Sequence, residues 1–151
     1  MSNNRRDAIR MTGDELVEFL GAQKSLQVGT LSQDGSIHLS TLWFAMVDGK
    51  IVFETYTKSQ KVLNLRRDPR ITVLAEDGLV YEQLRGVMIK GTATLVDDPA
   101  AVHPLALEVL TRNQPEIPLE LLEQAAEHMA SKRTAVIVEP INTISWDHTK
   151  L

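Results

Sequence analysis

Two Asp-Gly pairs, Asp34-Gly35 and Asp48-Gly49, do most to limit the folds open to this chain. Asp-Gly supplies the positive-φ backbone that tight β-hairpins require. Strand-like runs flank both pairs: Leu26 to Ser32, Ser36 to Val47, and Ile51 to Thr55. Three antiparallel strands joined by two hairpins make a meander, so the first half of the chain is committed to an antiparallel sheet.

The rest of the chain fits around that sheet. Residues before about Arg10 read as a loose tail. Thr12-Gly13-Asp14-Glu15 has the spacing of a capping box, with Leu16, Phe19 and Leu20 forming the apolar face of the helix it starts. A short helix from about Ser59 to Arg67 ends at Asp68-Pro69. Ile71 to Ala75 is a strand, turned by Glu76-Asp77-Gly78. Leu79 to Val96 is strand-rich, and its Gly86 and Gly91 read as bulges or bends. Helices follow from about Pro99 to Leu110 and Leu119 to Ala130. Ala135 to Glu139 and Thr143 to Trp146 return to strand. This order suits a mainly antiparallel barrel with peripheral helices. It lacks the β-α alternation and glycine fingerprint of a Rossmann sheet.

Length and charge narrow the function. The 151 residues suit a single domain, 1–151, with a real core. A net charge of −4 disfavours nonspecific nucleic-acid binding. The chain has no cysteine, which removes thiol catalysis, disulfides and cysteine metal sites. No apolar run is long enough to span a membrane. Arg5-Arg6 is not followed by the apolar stretch of an export signal, so a cytoplasmic location is expected. His38, His103, His128 and His148 form no metal-ligand spacing, and no serine stands in a nucleophile elbow. His103 and His128 read as surface residues. His38 lies in a strand and faces either core or pocket. Any chemistry is then expected to come from a bound cofactor that the protein positions.

The segment from Thr55 to Pro69 is the candidate anchor for such a group. Thr55, Thr57, Lys58, Ser59 and Lys61 gather where a strand ends and a helix begins. Helix N-termini attract anions, and lysines are normally disfavoured there. Two readings stand: a phosphate sits among these groups, or the helix is simply solvated and basic, with Arg66 and Arg67 complementing its C-terminus. Ser40-Thr41-Leu42-Trp43-Phe44 reads as a pocket strand or as an ordinary buried one.

The Thr55 to Pro69 segment resembles the phosphate-binding element of the flavin-binding split β-barrel family. That family includes pyridoxamine phosphate oxidase and the deazaflavin (coenzyme F420)-dependent reductases. Val28-Gly29-Thr30-Leu31 with Asp34-Gly35, Ser40 to Phe44, Tyr81-Glu82-Gln83-Leu84-Arg85-Gly86, Lys90-Gly91-Thr92-Ala93 and Ser145-Trp146-Asp147-His148 extend the resemblance over most of the chain. Gln60 stands where pyridoxamine phosphate oxidases usually carry arginine, and their C-terminal arginine-and-histidine motif is missing. Both departures count against that activity. Lys61-Val62-Leu63-Asn64-Leu65-Arg66-Arg67-Asp68-Pro69 looks like the deazaflavin-dependent branch.

The resemblance implies a six-stranded antiparallel split β-barrel of the FMN-binding type. It implies a homodimer with its cofactor at the subunit interface. It further implies an F420-dependent reductase acting on an electron-poor or conjugated small molecule, with an FMN-dependent oxidoreductase or a non-enzymatic cofactor or haem carrier as alternatives. The implied cofactor contacts are Ser40, Thr41, Trp43, Thr55, Thr57, Lys58, Ser59, Lys61, Tyr81, Arg85, Trp146 and His148. Tyr81 is the ring-side candidate. Arg85 either meets an anion or pairs with Glu82 or Glu54. Trp146 and His148 either close the partner's site or anchor the terminus.

Overall fold

In a computed structural model, which describes residues 4–151, both Asp-Gly pairs turn the chain as expected. Gly35 adopts φ +86°, and Asp48 and Gly49 adopt φ 51° and 77°. At Asp48-Gly49, positive φ at both central residues is the signature of a type I′ hairpin. The first turn joins β1 (Ser25–Leu31) to β2 (Ile37–Trp43), and the second joins β3 (Ala45–Val47) to β4 (Lys50–Tyr56). The remaining strands are β5 (Arg70–Asp77), β6 (Arg85–Val96) and β7 (Arg133–Asp147). All pairings are antiparallel, in the order β2-β1-β5-β6-β7-β4-β3.

The fold is mainly β with peripheral helices, and the sheet has seven strands rather than the six expected. The extra strand comes from the expected continuous strand Ser36 to Val47, which breaks at Phe44. On one side of the break, β2 is one edge of the sheet; on the other, β3 is the opposite edge. A single residue thus connects the two edges, so the sheet must curl until they meet. Phe44 is fully buried at that seam. Its carbonyl has left the ladder and accepts from Asn113 Nδ2 at 3.1 Å. The Arg112 guanidinium lies 4.5 Å from its ring centre.

Two expected strands near the C-terminus are one. β7 runs unbroken from Arg133 to Asp147, with a bulge where Lys90 faces Asn142 but Gly91 faces Pro140. Gly91 is required there because a Cβ would run into the Glu139 carbonyl. Gly86 is a different case from the bulge expected of it. It lies directly opposite Trp146, and a Cβ would occupy the space of the indole ring. Tyr81–Gln83 forms a 3-10 turn rather than strand.

Helix α1 (Arg5–Ala8) is a single turn within the stretch read as a loose tail, whose residues 1–3 lie outside those described. Helix α2 (Gly13–Ala22) carries the expected capping box: Glu15 N donates to Thr12 Oγ1 at 3.2 Å, and Thr12 N donates to Glu15 Oε1 at 3.4 Å. Helix α3 (Gln60–Arg67) packs on β1, and α4 (Pro99–Asn113) and α5 (Leu119–Ala130) pair through Ala106, Leu110, Leu122 and Ala126. Leu26, Val28, Phe53, Val73, Val87 and Val136 fill the inside of the curl. None of the described helices is long and apolar enough to cross a membrane.

Candidate functional site

The start of α3 is built from polar residues with few ways to satisfy one another. Ser59 caps the helix, its hydroxyl accepting from Val62 N at 3.4 Å. Helix geometry leaves the N–H groups of Gln60 and Lys61 without intrahelical acceptors. Lys61 Nζ donates to Thr55 Oγ1 at 3.1 Å, and Thr55 is buried. Because Thr55 accepts this bond, its own hydroxyl proton stays free to donate. Half-burial pushes the Lys61 ammonium below the usual lysine pKa, with no charged neighbour contributing. A partly desolvated cation without a carboxylate, beside free N–H groups and a free hydroxyl, is a cradle that fits a phosphate. Lys58 is exposed at its rim.

Thr57 stands behind that cradle. Thr134 donates its hydroxyl proton to Asp97 Oδ1 at 2.7 Å, so the 3.0 Å contact between Thr57 Oγ1 and Thr134 Oγ1 has Thr57 as donor. Its N–H is also taken, by the Lys132 carbonyl. Thr57 therefore faces the anion position only through lone pairs. Arg66 closes the chain with a bidentate pair to Asp97 at 2.6 and 3.0 Å. Thr134 and Asp97 were not legible as part of this site, since neither is near it in sequence.

Asn64 fixes the helix against the sheet. It is fully buried, donates to Thr30 Oγ1 at 3.0 Å, and accepts from Gln60 Nε2 at 2.8 Å. Its position between two leucines was the only sequence signal.

On β2, residues alternate between faces. Thr41 and Trp43 point outward with Ile37 and Leu39. Ser40 and His38 point the other way, and Ser40 Oγ and His38 Nδ1 are buried without a partner among the described residues. Orphaned buried polar atoms are uncommon and costly. Those on Ser40 and His38 suit a ligand's polar edge.

A third group gathers around the end of β7. The Trp146 indole lies over Gly86. His148 Nδ1 lies 2.7 Å from the Tyr81 carbonyl, and the two rings meet edge-on with centroids 4.7 Å apart. A carbonyl can only accept, so Nδ1 carries the proton. Arg85 pairs with neither Glu82 nor Glu54. It makes a bidentate pair with Asp77 at 2.7 and 3.1 Å and lies over the Phe19 ring. Glu54 is held by Arg133 at 2.8 Å.

The structure therefore divides the candidate residues. Trp43 and Trp146 belong to the same outward face of the sheet, at the end where β1 starts and β7 finishes. The phosphate-like cradle adjoins the other end of β7, where Thr55 pairs with Thr134. From Thr134 to Trp146 the strand contour is roughly 40 Å at about 3.3 Å per residue. One chain does not bring its own cradle and its own Trp146–His148 group together.

Comparison with known proteins then decides the family. The family profile for pyridoxamine 5'-phosphate oxidase matches residues 12–146. The chain belongs to that family. Its flavin-binding split barrel is the architecture described above. Within the pyridoxamine 5'-phosphate oxidase fold, the chain is similar to the conserved hypothetical protein Rv2991 from Mycobacterium tuberculosis. The two are 38% identical, with a TM-score of 0.89, over 96% of this chain and 90% of that one. An F420 reductase shares the fold at 20% identity and a TM-score of 0.66, over 84% of this chain and 94% of its own. HutZ, a haem storage protein from Vibrio cholerae, shares it at 14% identity and a TM-score of 0.67, over 88% and 94%. No curated protein sequence matches this one.

Proposed function

We propose that this protein is a homodimeric F420-dependent reductase of electron-poor or conjugated small molecules. One observation carries the reading: Lys61, half-buried and without a carboxylate partner among the described residues, is held by Thr55 at the open start of α3. Thr55, Ser59, Lys58 and Lys61 hold the cofactor's phosphate, with Thr57 bracing them from behind. The unpartnered Ser40 hydroxyl and the backbone of Thr41 meet the polar edge of the ring, and Trp43 and Tyr81 flank it. When bound, the reduced deazaflavin supplies a hydride. The chain's own contribution is to fix the ring and exclude water around it.

A second subunit supplies what one chain leaves apart. Ile37 and Leu39, exposed at 72% and 68%, lie with Gly29, Leu74 and Met88 along an apolar groove on the outward face of the sheet. Pairing two such faces buries them and brings Trp146 and His148 of one subunit toward the cradle of the other. The choice of deazaflavin rests on the resemblance of the Lys61 to Pro69 helix and the Tyr81 to Gly86 turn to that branch. The F420 reductase that shares the fold is in keeping with it.

A second reading, an FMN-dependent oxidoreductase, is favoured by one feature. Arg66 and Arg85 are already neutralised by Asp97 and Asp77, so they are not the extra cations a longer acidic cofactor tail calls for. Separate titrations of the protein with F420, FMN and haem test the choice. F420 is expected to bind more tightly than FMN, and its binding to weaken as salt rises. Equal or tighter FMN binding overturns the preference. Tight haem binding without reductase turnover overturns the enzyme reading altogether.

A further inference from the structure

The N-terminal arm and the C-terminal strand enclose a cavity of about 830 Å³ that none of the roles above uses in full. Arg6, Ile9 and Arg10 form one wall; Ile144, Trp146 and His148 contribute the other. The geometry points to a site for the carboxylate of a planar acidic substrate, its ring lying against Trp146 and its charge between Arg6 and Arg10. This inference rests on the reductase reading and names the substrate class that reading leaves open.

Both walls are pinned, so the cavity is part of the fold. Asp147 N donates to the Ile9 carbonyl at 2.7 Å. Met11 N donates to Ser145 Oγ at 3.0 Å. Lys150 Nζ donates to the Arg10 carbonyl at 2.9 Å and pairs with Glu15 at 2.8 Å. These bonds run between opposite ends of the sequence and hold the arm carrying Arg6 and Arg10 against the strand carrying Trp146.

The charge in the cavity is positive and only lightly compensated. Arg10 pairs with Asp7, but both side chains are more than half exposed, so an incoming carboxylate competes on easy terms. Arg6 makes no ion pair among the described residues. Guanidinium groups bind carboxylates in a planar, bidentate geometry, and this binding distinguishes an acid from its neutral amide. The Trp146 indole lies over Gly86, whose lack of a Cβ leaves room for it, and lines the same cavity as those cations. Ile9 and Ile144 add apolar surface for the body of the ligand. Glu15, at the start of α2, is already taken by Lys150.

Calorimetric titration of the full chain with 2-naphthoate and with 2-naphthamide tests the assignment. The acid is expected to bind at least about tenfold more tightly than the amide, the scale of one hydrogen bond to a charged group. The double variant Arg6→Ala/Arg10→Ala should lose that preference. Arg6→Lys/Arg10→Lys should keep part of it. Equal affinities in the native protein, or a preference that survives the double alanine variant, overturns the proposal. So does a double variant that weakens F420 but not naphthoate, because the cavity then serves the cofactor's acidic tail. Failure of F420 to bind, with arginine-dependent naphthoate binding intact, leaves the acid site standing and removes the reductase reading. F420 binding without any preference for the acid does the reverse.

Discussion

Replacing Lys61 by methionine separates a residue kept for a ligand from one kept for the fold. The change keeps much of the aliphatic stem and removes the charge. In the ligand-free protein two effects oppose each other. The bond from Nζ to Thr55 Oγ1 is lost, which costs about 0.5–1.5 kcal/mol. The penalty of holding a half-buried ammonium is relieved. The sign of the second effect follows from linkage. A lysine whose folded pKa is depressed binds fewer protons folded than unfolded, so stability rises as pH climbs through that depressed value toward 10.5. Below it, the charge is a burden on the fold. The net change in Lys61→Met is expected to stay within about 1 kcal/mol, a shift of about 2–4 °C in thermal midpoint for a domain of this size. Cofactor affinity should instead fall by about 1.5–3 kcal/mol, or roughly one to two orders of magnitude. Scanning calorimetry of the apo protein and fluorescence titration with F420 give the two numbers. A large loss of stability with unchanged affinity would refute the cradle and make Lys61 a structural residue.

Two further perturbations probe the framework behind the cradle. Asn64→Ala removes a fully buried amide with two good hydrogen bonds and leaves the Thr30 hydroxyl without its donor. It should cost about 3 kcal/mol and lower the thermal midpoint by about 6–12 °C; an unchanged midpoint would show that α3 is held by its leucines alone. Asp97→Asn addresses pH. Arg66 first, and the Thr134 hydroxyl second, hold the Asp97 carboxyl below its ordinary value of 3.8. A depressed carboxyl stabilises the fold above the unfolded value and loses that contribution as pH falls through the folded one. The gap in thermal midpoint between native protein and Asp97→Asn should therefore be small but present at neutral pH, since the pair is half exposed, and should close below about pH 4. A gap that is constant with pH would remove Asp97 from the network.

What the sequence made legible was local. The Thr12–Glu15 capping box and the two Asp-Gly turns depend on residues within a few positions, and each formed as expected. The run from Ser36 to Val47 is equally strand-like throughout, and nothing in it announces a break at Phe44. That break is decided by Asn113 and Arg112, which meet Phe44 only after the chain has gone round the barrel. Arg85 shows the same limit. The sequence offered Glu82 and Glu54 as partners, and the pairing with Asp77 instead follows from the β5–β6 register that places Asp77 and Arg85 directly opposite. The residues around the cradle were named because they are contiguous. Thr134 and Asp97, which orient Thr57, come from distant elements and carry no motif.

The two ends of the candidate site are built on different principles, and this bears on how each can vary. The cradle end is braced by buried and half-buried bonds among Asn64, Thr30, Gln60, Thr57 and Thr134, so a change there strikes the fold as well as the ligand. The other end is assembled from the chain's extremities. Backbone bonds from Asp147 to Ile9 and from His148 to Leu84 hold it, while the side chains of Arg6, Arg10 and Tyr81 project from it exposed. Exposed side chains on a pinned backbone can be exchanged at little cost to stability. A barrel organised this way can keep one anion-binding anchor and change what it accepts opposite that anchor by altering a few terminal residues. In this chain those residues are two arginines and a tryptophan, which together suit a planar acid.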